Sequence, residues 1–123
     1  MTAKTRVLLC DDSRAMRVMT ASILEENGFE IAGEADSGLA AISQYKATRP
    51  DVVLLDLVMP KMDGKAALRE ILDFDPKAVV IVLSSLGAQS DIEKCLKVGA
   101  KSYLQKPIEP EALLRVIGEA AGG

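Results

Sequence analysis

Val52-Val53-Leu54-Leu55-Asp56-Leu57-Val58-Met59-Pro60-Lys61-Met62-Asp63-Gly64 drives four apolar residues into a carboxylate and then turns. Apolar side chains at consecutive positions 52–55 mark a short strand buried on both faces, the pattern of a parallel sheet covered by helices on each side. The residue that follows such a strand emerges at the mouth of the sheet, so Asp56 stands where buried backbone meets solvent. Asp63-Gly64 reads as a turn, with Gly64 free to take positive φ.

Outward from this stretch, short β-type runs alternate with amphipathic segments. Arg6 to Cys10 reads as a strand, and Ser13 to Asn27 places Met16, Met19, Thr20, Ile23 and Leu24 at helical spacing before stopping at Gly28. Phe29 to Ala35 is a second strand, followed by a helix over Gly38 to Thr48 with Ala41, Ile42 and Tyr45 inward, ended by Pro50. After the third strand, Val52 to Leu55, come a helix over Gly64 to Phe74, a strand over Val79 to Leu83, a helix over Ser90 to Val98 closed by Gly99, a strand over Ser102 to Gln105 and a helix over Pro110 to Glu119. Five βα units in strict alternation predict an α/β domain, with a parallel sheet entered by right-handed crossovers.

Composition narrows the chemistry. A chain of 123 residues is long enough for one domain and too short for two of ordinary size. A net charge of -3 gives no basic field for a phosphodiester backbone, so direct nucleic-acid binding is not expected. The longest unbroken apolar stretch, Ala78 to Leu83, is far short of a membrane span, and Asp11 and Asp12 interrupt the start before any signal-peptide core develops. A cytoplasmic location without membrane insertion is expected, in keeping with Cys10 and Cys95 as core thiols rather than a disulfide framework. The absence of histidine removes Ser-His-Asp and Cys-His couples, His-based zinc sites and a phosphohistidine carrier at one stroke. Carboxylates, hydroxyls and lysines must do whatever chemistry there is.

Ligands of doubly wound sheets bind beyond the carboxyl ends of the strands. At those ends stand Asp11 and Asp12, Asp56, Ser84 and Ser85, and Lys106 before Pro107. Each has an ordinary reading alone: an acid before a helix is a cap, although Ser13 competes for that role; a serine satisfies loop amides; a lysine at a strand end is solvated. Together they are harder to dismiss. Three carboxylates in one crevice repel one another and force a proton onto one of them unless a cation sits between them. On that ground, removing Asp11 or Asp12 is expected to stabilise the cation-free protein. A hard divalent ion such as Mg2+ takes oxygen ligands from one or two carboxylates plus a substrate phosphate, which makes this a phosphate-handling site. Lys106 would neutralise one phosphoryl oxygen, Ser84 would donate to another, and Asp56 would attack phosphorus. The Lys106-Pro107 bond is expected to be cis, because the strand must stop and the lysine swing back over the crevice within one residue.

The acidic pair in Asp11-Asp12-Ser13, the Leu54 to Gly64 stretch around Asp56, the hydroxyl closing Val79 to Ser84, and Gly99 to Pro107 with its lysine and proline closely resemble the receiver domain of two-component response regulators, over essentially the whole chain. The resemblance implies a flavodoxin-like doubly wound five-stranded parallel sheet of order 2-1-3-4-5 with five helices. It implies that Asp56 accepts a phosphoryl group from the phosphohistidine of a sensor histidine kinase, that Asp12 and Asp56 ligate Mg2+ with Asp11 acting through water, and that the backbone carbonyl of Val58 completes the set. Ser84 and Tyr103 would form the switch that remodels the face of the fourth helix, fifth strand and fifth helix for a downstream protein, although Tyr103 also reads as an ordinary half-buried aromatic. The side chains of Val58 and Leu86 would border the approach of hydrolytic water and so set the lifetime of the phosphorylated form.

The resemblance further implies a single receiver over residues 1–123 with no output domain, of chemotaxis type, that is not an enzyme although it catalyses its own phosphorylation and slow dephosphorylation. A phosphorelay shuttle or phosphate sink, and a receiver separated from a longer regulator, stay open. From other classes, a haloacid-dehalogenase-like phosphatase lacks its second aspartate, because position 58 is valine, and a small flavodoxin would want phosphate-binding donors where Asp11 and Asp12 stand.

Overall fold

The computed structural model describes residues 4–85 and 88–122. Its elements run β1 (Arg6–Cys10), α1 (Arg14–Glu26), β2 (Glu30–Ala35), α2 (Gly38–Thr48), β3 (Val52–Asp56), α3 (Gly64–Phe74), β4 (Val80–Ser84), α4 (Gln89–Val98), β5 (Ser102–Gln105) and α5 (Pro110–Gly122). The five strands are parallel and ordered β2-β1-β3-β4-β5, the flavodoxin-like doubly wound order.

Strand periodicity sorts the apolar residues into two cores. Leu8, Cys10, Val53, Leu55, Val80 and Val82 face α2, α3 and α4, where they meet Ala41, Tyr45, Ala67, Leu68, Ile71 and Cys95. The alternate residues, Val7, Leu9, Val52, Leu54, Ile81 and Leu83, face α1 and α5 and pack on Leu24, Leu113 and Ile117. Each large apolar side chain so buried contributes about 1.5–3 kcal/mol. The central strands therefore form a rigid frame for whatever projects from their ends.

Four readings from the sequence change. β3 keeps Asp56 and β4 keeps Ser84 inside the ladder, because strand pairing continues one residue past the apolar run: Asp56 pairs with Leu83 and Ser84 with Gln105. Met19 points outward, 47% exposed, while Thr20 and Leu24 are the buried residues of α1. Its last inward turn is closed by Gly28 at φ 87, where a side chain would be strained. Gly64 does not take positive φ; Lys61 does, at 66. Gly64 is glycine because α3 starts against the end of β3, where a Cβ would collide with the Asp56 carbonyl and the Leu57 backbone. Asp63 caps that helix by accepting from the Ala66 amide at 2.9 Å.

Candidate functional site: an acid cluster bridged by a lysine

Register brings the site together. Cys10 pairs with Leu55, so Asp11 follows beside Asp56, and the Asp11 amide donates to the Ala35 carbonyl of β2 at 3.0 Å. The Lys106 amide donates to the Ser84 carbonyl at 2.7 Å, which carries β5 past the end of β4, and the Lys106–Pro107 peptide bond is cis. From there the four-carbon stem of Lys106 reaches back across the sheet end. Its ammonium donates to Asp56 Oδ2 at 2.8 Å and to Asp11 Oδ2 at 3.1 Å.

Asp56 and Asp11 are buried, and Asp12 is exposed. One carboxylate oxygen from each of the three lies within 4.8 Å of the others. Oxygen donors with one acid open to solvent suit a hard divalent cation that keeps part of its water shell. Burial pushes the Asp56 carboxyl above its usual range, the neighbouring Asp11 charge adds to this, and the Lys106 ammonium and the Val58 amide, which donates to Asp56 Oδ1 at 3.0 Å, pull it back. Burial also works against the Lys106 charge, but its bonds to Asp56 and Asp11 outweigh that and raise its pKa. The result is a carboxylate with one oxygen on an amide and the other on an ammonium.

Ser84 lies at the end of β4, and its buried hydroxyl has no hydrogen-bond partner among the described residues. A buried hydroxyl without a partner costs about 1–3 kcal/mol, so it is a place where an incoming oxygen would be welcomed. Tyr103, on the edge strand β5, is 45% exposed beside α4. Val58 is 74% exposed just past the strand end, and Leu86 lies outside the described residues. Both thiols are buried, and burial raises the pKa of Cys10 and Cys95, which disfavours the thiolate.

The helix cap at α1 is Ser13, whose hydroxyl accepts from the Met16 amide at 3.3 Å, so neither acid is needed there. Asp11 instead accepts from the Ser13 amide at 2.9 Å with the oxygen that Lys106 does not use. This splits the expectation for the two acids. Asp12→Ala should raise the melting temperature in chelator by a few degrees, because it relieves repulsion and leaves Asp11 and Asp56 on Lys106. Asp11→Ala should lower stability by about 1–2 kcal/mol, because it strips the Ser13 amide and the Lys106 ammonium of a partner in a partly buried place. Melts of both variants in chelator check this, and a lower melt for Asp12→Ala would refute the crowding argument.

Sequence reasoning passed over Arg17 and Glu34. Arg17 lies near the positive end of α1, where a cation is disfavoured by the helix dipole, and that misfit was the available signal. Its guanidinium bonds both Glu34 of β2 and the Asp11 carbonyl.

A family model described as the response regulator receiver domain matches residues 7–118. The chain is 39% identical to the chemotaxis protein CheY of Thermotoga maritima over 94% of this chain and 97% of that one. It is 43% identical to protein CcdB of Bacillus subtilis over 96% and 98% of the two chains. Among solved structures, the CheX–CheY–BeF3–Mg2+ complex from Borrelia burgdorferi superposes with a TM-score of 0.90 at 36% identity, covering 94% of this chain and 87% of that one.

Proposed function

The chain belongs to the response regulator receiver domain family, and from that membership we propose that Asp56 is the phosphoacceptor of a chemotaxis-type signalling protein. An Asp56 oxygen forms the new bond to phosphorus while the P–N bond of a phosphohistidine on a sensor histidine kinase breaks, leaving the imidazole on the donor. The observation that carries this reading is the Asp56 carboxylate set between the Asp11–Asp12 pair and a lysine ammonium 2.8 Å away. Asp12, Asp56 and the Val58 carbonyl, with Asp11 acting through water, would hold Mg2+, which would supply charge neutralisation for the phosphoryl oxygens. Lys106 takes a phosphoryl oxygen in exchange for its carboxylate contact, and Ser84 gains a partner that its hydroxyl lacks among the described residues.

The same residues support the signalling step. One new bond to Ser84 biases the end of β4, and Tyr103 turns inward as Ser84 moves. A depression of about 250 Å3 lined by Gln89, Ile92, Glu93, Leu96, Tyr103 and Gln105 lies beside Tyr103. A downstream protein docks on the face of α4, β5 and α5. The Borrelia burgdorferi relative, solved with CheX, BeF3 and Mg2+, supports both the cation and a protein partner. The role is signalling rather than turnover of a free substrate. Among the described residues, no helix is long and apolar enough to cross a membrane.

The test is to incubate the protein with Mg2+ and a small acyl phosphate and weigh it intact, then present the phosphorylated form to cell lysate. Uptake of one phosphoryl group that is lost in base supports the acceptor. Absence of uptake refutes it. Onward transfer to a histidine protein, in place of phosphorylation-dependent docking, would favour a phosphorelay.

The phosphorylated form should be long-lived. The Val58 side chain offers no hydrogen bond to a water approaching behind phosphorus, and neither does the side chain of leucine at position 86. Val58→Asn combined with Leu86→Glu should speed self-hydrolysis by on the order of tenfold, about 1.4 kcal/mol of barrier, by positioning that water. Decay in Mg2+ with no partner present is the measurement, and an unchanged rate would remove these side chains from control of the lifetime.

A further inference from the structure

The phosphoryl chemistry assigns no task to Arg17, yet its side chain is only 14% exposed and bonds two acceptors. Nε donates to Glu34 Oε1 at 2.8 Å, and Nη1 donates to the backbone carbonyl of Asp11 at 2.5 Å. That carbonyl belongs to the peptide unit joining Asp11 to Asp12. Just before it, the Asp11 amide is fixed to Ala35 O, and the Asp11 side chain is fixed to the Ser13 amide and Lys106. The Arg17 bond holds the oxygen of the peptide leading into Asp12, whose own carboxylate is exposed.

We propose that Arg17, oriented by Glu34, is a positioning residue that fixes the Asp11–Asp12 peptide so that the exposed Asp12 carboxylate stays in register with Asp11 and Asp56 for a divalent cation. The proposal rests on the reading of the acid cluster as a cation site. Arginine suits the task because one rigid planar fork serves two acceptors, a carboxylate on β2 and a carbonyl at the end of β1. Lysine carries the same charge on a flexible stem and cannot reproduce the fork.

Charge and geometry act here with opposite signs, which makes the role separable. A guanidinium beside a cation site repels the cation, so if Arg17 acted only as a charge, its removal would tighten Mg2+ binding. If it positions the acid pair, removal weakens binding despite the lost repulsion. Calorimetric titration of the full chain with Mg2+ should show Arg17→Ala and Arg17→Lys each weakened by on the order of tenfold, the scale seen when groups that orient metal ligands are removed. Glu34→Gln keeps an acceptor for Nε and should stay near wild type, whereas Glu34→Ala should fall between wild type and Arg17→Ala. Melts in chelator accompany each titration. Should Arg17→Ala not fold, Glu34→Ala carries the test, because Glu34 is exposed and its loss keeps the guanidinium but frees it from the carboxylate that orients it. Mg2+ affinity equal to or tighter than wild type in the Arg17 variants, or unchanged in Glu34→Ala when that variant carries the test, overturns the positioning role. Failure of the wild-type chain itself to bind Mg2+ overturns the cation-site reading together with it.

Discussion

Asp56→Asn should abolish uptake of a phosphoryl group from a small acyl phosphate in Mg2+, read as the disappearance of the phosphorylated species in intact-protein mass. Asparagine has the shape of aspartate, and its Oδ1 can still accept from the Val58 amide, which now donates to Asp56 at 3.0 Å. The fold around the end of β3 therefore survives, since Leu54 and Leu55 behind it are untouched. What the substitution removes is the negative oxygen proposed to form the bond to phosphorus; a neutral amide is a poor nucleophile. The variant also lowers the negative charge facing Lys106, so Lys106 remains on Asp11 alone. Two other kinds of group could accept phosphate if the assignment were wrong, and base treatment tells them apart: an acyl phosphate on Asp11 or Asp12 is lost in base, and a phosphoester on Ser84 is retained. Full stoichiometric phosphorylation of Asp56→Asn, of either kind, would refute Asp56 as the acceptor.

The frame that carries this chemistry was readable from the chain because a doubly covered parallel strand leaves an unmistakable trace. Four consecutive apolar residues at Val52–Leu55 fit two cores at once, with Val53 and Leu55 on one side and Val52 and Leu54 on the other. The strand ends then located Asp11, Asp56, Ser84 and Lys106. Less readable was anything decided by which side of an ambiguous stripe faces inward. In α1 a helical period accommodates either Met19 or Thr20 next to Leu24. The choice fell to Thr20, which is buried while Met19 is not. Gly64 shows a second limit. Glycine before a helix suggests a turn, but the need for it comes from the backbone of Asp56, eight positions away in sequence and in contact only after the loop folds back. The pairing of Arg17 with Glu34 depends on how β2 lies beside β1, including the register shift between Val7 and Leu8, and no local pattern encodes that. The double contact of Lys106 is of the same kind: its place at the mouth was legible, and its bond to Asp11, 95 positions away, was not.

Lys106→Met should melt roughly 10 °C below wild type at neutral pH in chelator, and its deficit should shrink in Mg2+. The ammonium is the cation that lies between the two buried carboxylates, 2.8 Å from Asp56 and 3.1 Å from Asp11. Removing one member of a buried ion pair leaves uncompensated charge, an effect of 3–5 kcal/mol when burial is complete; with Lys106 partly exposed, about 2–3 kcal/mol is expected. The pH dependence follows from the two shifts. Asp56 is already raised above its ordinary 3.8 by burial, and losing Lys106 raises it further. A carboxyl whose folded pKa lies above its unfolded one gives stability below the unfolded value and loses it as pH rises through the folded value. The variant therefore approaches wild type in acid, where Asp56 carries a proton, and falls away as that proton leaves. Lys106 is raised above its ordinary 10.5, chiefly by its bonds to Asp56 and Asp11, against the opposing effect of burial. Its contribution is fully present below the unfolded value and is lost as pH rises through the folded one, so wild type descends toward the variant in strong alkali. The gap is widest between those limits. Mg2+ narrows it by supplying the missing positive charge to the same carboxylates, so the rise in melting temperature on adding Mg2+ should be larger for Lys106→Met than for wild type. Equal melts of the two proteins in chelator at neutral pH would mean that the Lys106 bridge contributes nothing to the fold, and an equal response to Mg2+ would mean that lysine and cation do not share the same acids.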